Sequence, residues 1–238
     1  IAFKQERECG KIILQVDGLS ILPEGEISLN GFELSVNPGD KIAILGGQGP
    51  VKTLLLDTII GNRKPKEGTV VWGTTIKSAY FPKENGDFFK GDDNLYDWLS
   101  KCTTELDGQY IRGFLGRMLF SGDEAEKKVN VLSGGERVRM MLCRMMMSGA
   151  NFLVLDEPTN HLDLESITAL NNGLVEFQGG VIFTSHDHEF ISTIANRIIE
   201  ITPAGYIDKQ LKFEEYLTDP DVSALRDKHY HGHNRLSL

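Results

Sequence analysis

Phe152-Leu153-Val154-Leu155-Asp156-Glu157 restricts what this chain can become more than any other stretch. An apolar run ending on two adjacent carboxylates reads as a buried strand that delivers both acids at its C-terminal end. Ligands in open α/β sheets bind beyond that edge. The first acid suits Mg²⁺ through its water shell, and the second suits holding and polarising an attacking water. The plain alternative is a pair of solvated acids; Pro158-Thr159-Asn160-His161-Leu162-Asp163 directly after them weighs against it.

The neighbouring sequence alternates in a way that gives such a strand a sheet to join. Residues 41–45 read as a short buried strand, 46–49 as a glycine-rich turn, and 53–60 as a helix stopped by Gly61. Further strands are expected at 11–16, 26–36, 68–72, 76–81, 151–155, 180–185, 197–202 and 206–211, with helices at 164–177 and 188–195. Residues 94–148 read as mostly helical, broken near Gly122 and at Ser133-Gly134-Gly135. Strands alternating with helices indicate a wound α/β core, here interrupted by a helical insert at about 94–148. The domain is expected to occupy 1–218. Residues 219–238 are polar, contain His229, His231 and His233, and read as a flexible tail or a short metal-binding tract.

Composition removes several classes of function. Lys and Arg total 25 against 34 Asp and Glu, a formal charge of −9, which argues against a domain that coats nucleic acid although a local basic face stays open. No apolar run reaches the ~18 residues of a membrane-crossing helix. The charged opening segment, with Lys4, Glu6, Arg7 and Glu8, is unlike a secretory signal, and the start at Ile1 suggests a piece of a longer chain. Three widely spaced cysteines, Cys9, Cys102 and Cys143, give neither a disulfide framework nor a zinc site, so a reducing, cytoplasmic setting is expected.

Three further motifs carry chemistry. Gly46-Gly47-Gln48-Gly49-Pro50-Val51-Lys52-Thr53 sits between a strand and a helix, where backbone N–H groups wrap phosphates, a Lys reaches them and a Thr hydroxyl meets Mg²⁺. Gly46, Lys52 and Thr53 stand at the required offsets and Gly49 adds a flexible position, but Val51 occupies the place of a glycine. A β-branched residue there is expected to crowd the phosphate, and a positive φ would cost it ~1–2 kcal/mol. The plain alternative is a turn that uses glycine only for geometry. Leu132-Ser133-Gly134-Gly135-Glu136 opens a helix, which suits either an anion or a capping box. His186 follows the apolar strand at the same sheet edge as the acids, and is either structural or part of the site. The run 140–147, five of whose eight residues are methionine, reads as adaptable helix packing or a compliant contact face.

Taken in order, the phosphate-loop-like turn, LSGGE at 132–136, LVLDEPTNHLD at 153–163 and TSHD at 184–187 resemble the nucleotide-binding domain of an ABC ATPase over about residues 11–211. The resemblance implies an ABC-type P-loop NTPase fold with an antiparallel β subdomain and a helical insert, and ATP with Mg²⁺ as its ligands. It implies that Lys52 and Thr53 hold phosphates and metal, Asp156 holds metal, Glu157 is the catalytic base, and His186 contacts the γ-phosphate. Ser133, Gly134 and Gly135 would contact ATP bound by a second ABC domain, and Asp163 would couple the two sites. NHLD, with Glu215-Tyr216-Leu217, is most similar to the ABC-F branch, whose members are soluble, carry two such domains and act on ribosomes; this chain resembles the second of the two.

Departures from the family pattern accompany the matches. Val51 replaces the loop glycine, Leu54 stands where a second Ser or Thr is usual, and no aromatic for adenine lies near Leu22. Lys83 stands where a glutamine would contact metal or water. These departures imply an asymmetric pair, in which this domain completes its partner's site and binds its own nucleotide weakly. Two other readings stay open: the ATPase component of a membrane transporter, or a non-catalytic docking half.

Overall fold

In this computed structural model the described residues are 1–22, 28–47, 49–103, 107–120 and 122–233. Strands β1 (Leu14–Ile21), β2 (Leu29–Val36) and β4 (Thr69–Trp72) form an antiparallel sheet in the order β2-β1-β4. The second sheet combines β3 (Lys41–Gly46), β5 (Ser78–Phe81), β6 (Phe152–Asp156), β7 (Gly180–Thr184), β8 (Arg197–Thr202) and β9 (Gly205–Lys209). Its order is β5-β6-β7-β3-β8-β9, parallel throughout except for β9. β6 and β7 are buried at every position, as their apolar runs require when both faces are covered.

Each face of this sheet has its own core. On one, α1 (Val51–Ile60) lays Val51, Leu55, Leu56 and Ile59 against Ile42, Ile44, Ile199 and Ile201 together with the antiparallel sheet. Each fully buried aliphatic there contributes about 1.5–3 kcal/mol. Gly61 ends the helix in the left-handed region, at φ +90°. The other face carries α2 (Leu95–Ser100), α3 (Gly108–Arg117), α4 (Gly134–Met147), α5 (Leu164–Glu176), α6 (His188–Ile194) and α7 (Phe213–Thr218). The methionine run of α4 is buried, which settles it as packing: Met140, Met141, Met145, Met146 and Met147 all lie in this core.

The architecture matches the expected one, with three differences of detail. The first strand runs beyond Val16, because an irregularity between Val16 and Leu19 turns the chain without ending its pairing to β2. The insert is less helical than expected, with short 3₁₀ turns at Gly122–Glu126 and Val129–Val131 after α2 and α3. The tail is also corrected: Pro220–His229 is a helix, α8, capped by Asp219, which accepts from Val222 N at 2.9 Å. Val222 enters the core and Arg226 and Tyr230 are buried, so residues 219–230 belong to the fold. The misreading has a physical cause, since α8 docks largely through polar side chains that a hydrophobic pattern does not register.

Candidate functional site

A cavity of about 670 Å³ opens at the C-terminal edge of the parallel strands. Gly46, Gly49, Lys52, Thr53, Lys83, Asp156, Glu157 and His186, eight of the expected site residues, line it together with Gly47. The turn after β3 reaches that edge through glycine. Gly46 and Gly47 take φ of +70° and +63°, and a side chain on Gly46 would collide with the Ile201 carbonyl. Gln48 lies outside the described residues. No side chain caps α1, whose first turn opens towards the cavity from Pro50.

Val51 does not carry the expected strain. It is the first residue of α1, has no positive φ and is fully buried. A Cβ on Gly47 would lie 2.7 Å from its Cγ1, so glycine at 47 makes room for the branched side chain at 51. Leu54 packs against the same core. Residues 23–27, next to the expected place of an adenine-facing aromatic, lie outside the described residues.

Lys52 turns inward, and its Nζ donates to Gly46 O at 2.6 Å and to Gly47 O at 3.2 Å. Burial lowers its pKa, while the charges of Glu157 and Asp156 oppose that shift. Thr53 Oγ1 donates to Asp156 Oδ2 at 2.6 Å, linking the loop to the acid strand. Between them runs β7, whose last residue, Thr184, was not foreseen. Its hydroxyl donates to Asp156 Oδ1 at 2.7 Å and accepts from Glu157 N at 2.9 Å. The in-register pairing of Asp156 with Thr184 produces this bridge, and the apolar strand with a single terminal hydroxyl was the only signal for it.

Glu157 has φ +50°, an uncommon conformation for a side chain of its size, held by the bond from its N–H. The residue is 5% exposed. Oε1 lies 3.1 Å from His186 Nε2, whereas Oε2 is buried without a protein partner. Burial raises its pKa; the neighbouring His186 works against this and the Asp156 charge adds to it. Lys83 is exposed at the rim, and Leu45, Ile191 and Phe213 form an apolar wall that sequence reasoning missed.

The remaining expected residues lie elsewhere. Ser133, Gly134, Gly135 and Asp163 do not line the cavity. Ser133 forms the capping box of α4, accepting from Glu136 N while its own N–H donates to Glu136 Oε2 at 2.7 Å. Burial opposes ionisation of Glu136, but Lys127 at 2.7 Å and the Ser133 N–H outweigh it and hold the carboxyl at about 2. A Cβ on Gly135 would lie 2.8 Å from His161 O, so the turn and the loop after β6 touch through glycine. Asp163 caps α5, accepting from Ser166 N at 2.8 Å, and the Ser166 hydroxyl, then its N–H, lower its pKa.

The donor set suits Mg²⁺ and phosphate. One hydroxyl and one carboxylate offer hard oxygens, a lysine is within the loop, and the orphaned Glu157 Oε2 lacks a proton donor. Among the described residues no cluster of three or more His, Cys, Asp or Glu could hold a metal by itself. His229 in the tail is instead tied to Thr202 Oγ1 at 2.8 Å.

Residues 29–160 match the family model described as ABC transporter. The chain belongs to the ABC transporter family. It is an ABC ATPase nucleotide-binding domain, as its motifs implied. Over 93% of its length it is 53% identical to the uncharacterized ABC transporter ATP-binding protein YkpA of Bacillus subtilis, of which it covers 42%. Over 91% of its length it is 35% identical to ABC transporter F family member 5 of Arabidopsis thaliana, of which it covers 32%. The chain thus spans less than half the length of either relative. In structure it is similar to the ATP-binding cassette MJ0796 in a dimeric post-hydrolysis state with ADP and phosphate, with TM-score 0.69 and 18% identity. That alignment covers 84% of this chain and 99% of the other, and shows the shared fold. No helix among the described residues is long and apolar enough to cross a membrane.

Proposed function

We propose that this domain is one half of a two-domain ATP sandwich in a soluble, cytoplasmic, ribosome-associated ABC-F protein. The division of its functional residues between two separate surfaces carries the reading. Gly46, Lys52, Thr53, Asp156, Glu157 and His186 share one cavity, while Ser133 and Gly134 face solvent outside it. A second ABC domain would lay its own signature turn over this cavity and receive Ser133, Gly134 and Gly135, with Asp163 between the two sites.

Within the cavity, Thr53 and Asp156 would hold Mg²⁺, which supplies neutralisation of phosphate charge. Lys52 exchanges the Gly46 and Gly47 carbonyls for phosphate oxygens. Glu157 holds an attacking water and takes its proton at Oε2, the atom left without a partner. His186 steadies Glu157 through Oε1 and turns toward the γ-phosphate when nucleotide binds. Lys83 sets a second cation at the rim. The departures at Leu54, Leu22 and Lys83 support weak nucleotide binding by this half, and Val51 contributes only if its side chain crowds a bound phosphate. Base–aromatic stacking is worth ~1–3 kcal/mol, so a missing aromatic weakens binding about tenfold or more.

Mg-ATP titration by calorimetry of the chain and its Val51→Gly variant tests the asymmetry. No binding by the natural chain, restored by Val51→Gly, supports a loop defect; clear binding by the natural chain refutes it. Failure of both moves the defect to the adenine side and Lys83. The ribosome rests on the resemblance to the ABC-F branch. Co-sedimentation with ribosomes supports it, and recovery with membranes instead points to a transporter component.

A further inference from the structure

Glu200, in the middle of β8, has a fully buried side chain and no place in the site described above. Its carboxylate accepts from Tyr216 Oη of α7 at 2.6 Å, from Tyr230 Oη just beyond α8 at 2.8 Å, and pairs with Arg226 Nε of α8 at 2.9 Å. Two residues on, Thr202 Oγ1 meets the His229 ring at 2.8 Å. The C-terminal segment is therefore fastened to the last turns of one strand by polar contacts.

That strand is also the neighbour of the phosphate loop. Leu45 and Gly46 pair with Glu200 and Ile201, and Gly47 N donates to Ile201 O at 2.8 Å. A Cβ on Gly46 would lie 3.0 Å from Glu200 Cγ, and one on Gly47 would lie 3.5 Å from the Ile201 side chain. Residues 200–202 are thus clasped by α7 and α8 while they support the first two glycines of the loop. A buried ion pair is a poor device for stability alone, because apolar residues of similar volume serve as well or better. Its geometry is directional, however, and it fixes the height of the strand end against the helices.

We propose that Glu200 is a positioning residue for the phosphate loop, set by Tyr216, Arg226 and Tyr230, so that α8 acts as a handle on the loop's affinity for nucleotide phosphates. The affinity part rests on the nucleotide reading above, and the positioning part does not. Replacing Glu200 outright leaves Arg226 buried without its carboxylate and endangers folding. Tyr230→Phe removes one donor and keeps the ring.

Two measurements on the 238-residue chain decide the matter, both well below the melting temperature. The first is amide hydrogen exchange in the nucleotide-free chain. In Tyr230→Phe the Gly47 amide exchanges faster relative to the amides of β6, by about three- to tenfold, a fraction of the full effect of one hydrogen bond to a carboxylate. Equal acceleration at Gly47 and β6 means a merely structural bond and overturns the proposal. The second is Mg-ADP titration by calorimetry, in which Tyr230→Phe weakens binding by a similar factor. Unchanged affinity beside a loosened Gly47 overturns the handle. If the natural chain binds no Mg-ADP, the handle on affinity fails, and exchange at Gly47 still decides whether Glu200 positions the loop.

Discussion

Thr184 offers the sharpest test of how the two acids are held. Thr184→Val is nearly isosteric and removes a fully buried hydroxyl that serves two residues. Glu157 N–H loses its acceptor at 2.9 Å, and Asp156 Oδ1 loses a donor at 2.7 Å while Oδ2 keeps Thr53. A buried N–H left unpaired costs about 1–3 kcal/mol, and a bond to a carboxylate contributes about 1.5–3 kcal/mol. The expected loss is about 3 kcal/mol, or roughly 6–12 °C in melting temperature for a domain of this size. Thr184→Ser keeps the hydroxyl and loses only a methyl, at about 1 kcal/mol. Urea and thermal unfolding of both variants isolate the hydroxyl. A Val variant no less stable than the Ser variant would refute the bridge, and with it the account of how Glu157 is kept at a positive φ.

Three other outcomes follow from the same geometry. Burial raises the Glu157 carboxyl, so its favourable share of stability is present below the ordinary carboxylate value of 4.5 and is lost as pH rises through the raised one. Glu157→Gln should therefore gain in urea midpoint over the natural chain as pH rises toward neutrality, and a gap independent of pH would contradict this. Glu136 has the opposite sign: its carboxyl is held at about 2 against a usual 4.5, so its contribution is present above 4.5 and fades as pH falls toward 2. The urea midpoints of the natural chain and Glu136→Gln should converge across that acid window. Gly135→Ala places a Cβ 2.8 Å from His161 O, and overpacking of this kind costs about 1–3 kcal/mol; thermal unfolding indistinguishable from the natural chain would show that the loop yields freely.

The cavity-facing half of the fold was legible because its signals are local. Gly46, Lys52 and Thr53 announce themselves by offset within one turn, and Asp156 and Glu157 by ending an apolar run. Ser133 with Glu136 names its own helix start, and the capping box, one of the two readings of that turn, is present. What stayed hidden depends on partners distant in sequence. Thr184 matters only because register sets it beside Asp156. Glu200 sits among the isoleucines of β8, Arg226 and Tyr230 in a polar tail, and no periodicity joins them. Val51 was misjudged for a related reason: its fit depends on Gly47 and Ile201, and the motif alone gives no view of that neighbour.

The strand order β6-β7-β3 has a metric consequence. Strands in a sheet repeat at about 4.8 Å, so one intervening strand sets the acid edge and the loop edge roughly 9.5 Å apart whatever side chains they carry. A threonine on the helix after β3 and an aspartate ending β6 are long enough to meet across that interval, and the spacer strand needs only a small hydroxyl to join them. The sheet therefore works as a ruler, graduated by backbone hydrogen bonds, that holds the width of the cavity constant. A shared shape at 18% identity is what such a ruler produces, since the backbone keeps the measure while the sequence along it drifts.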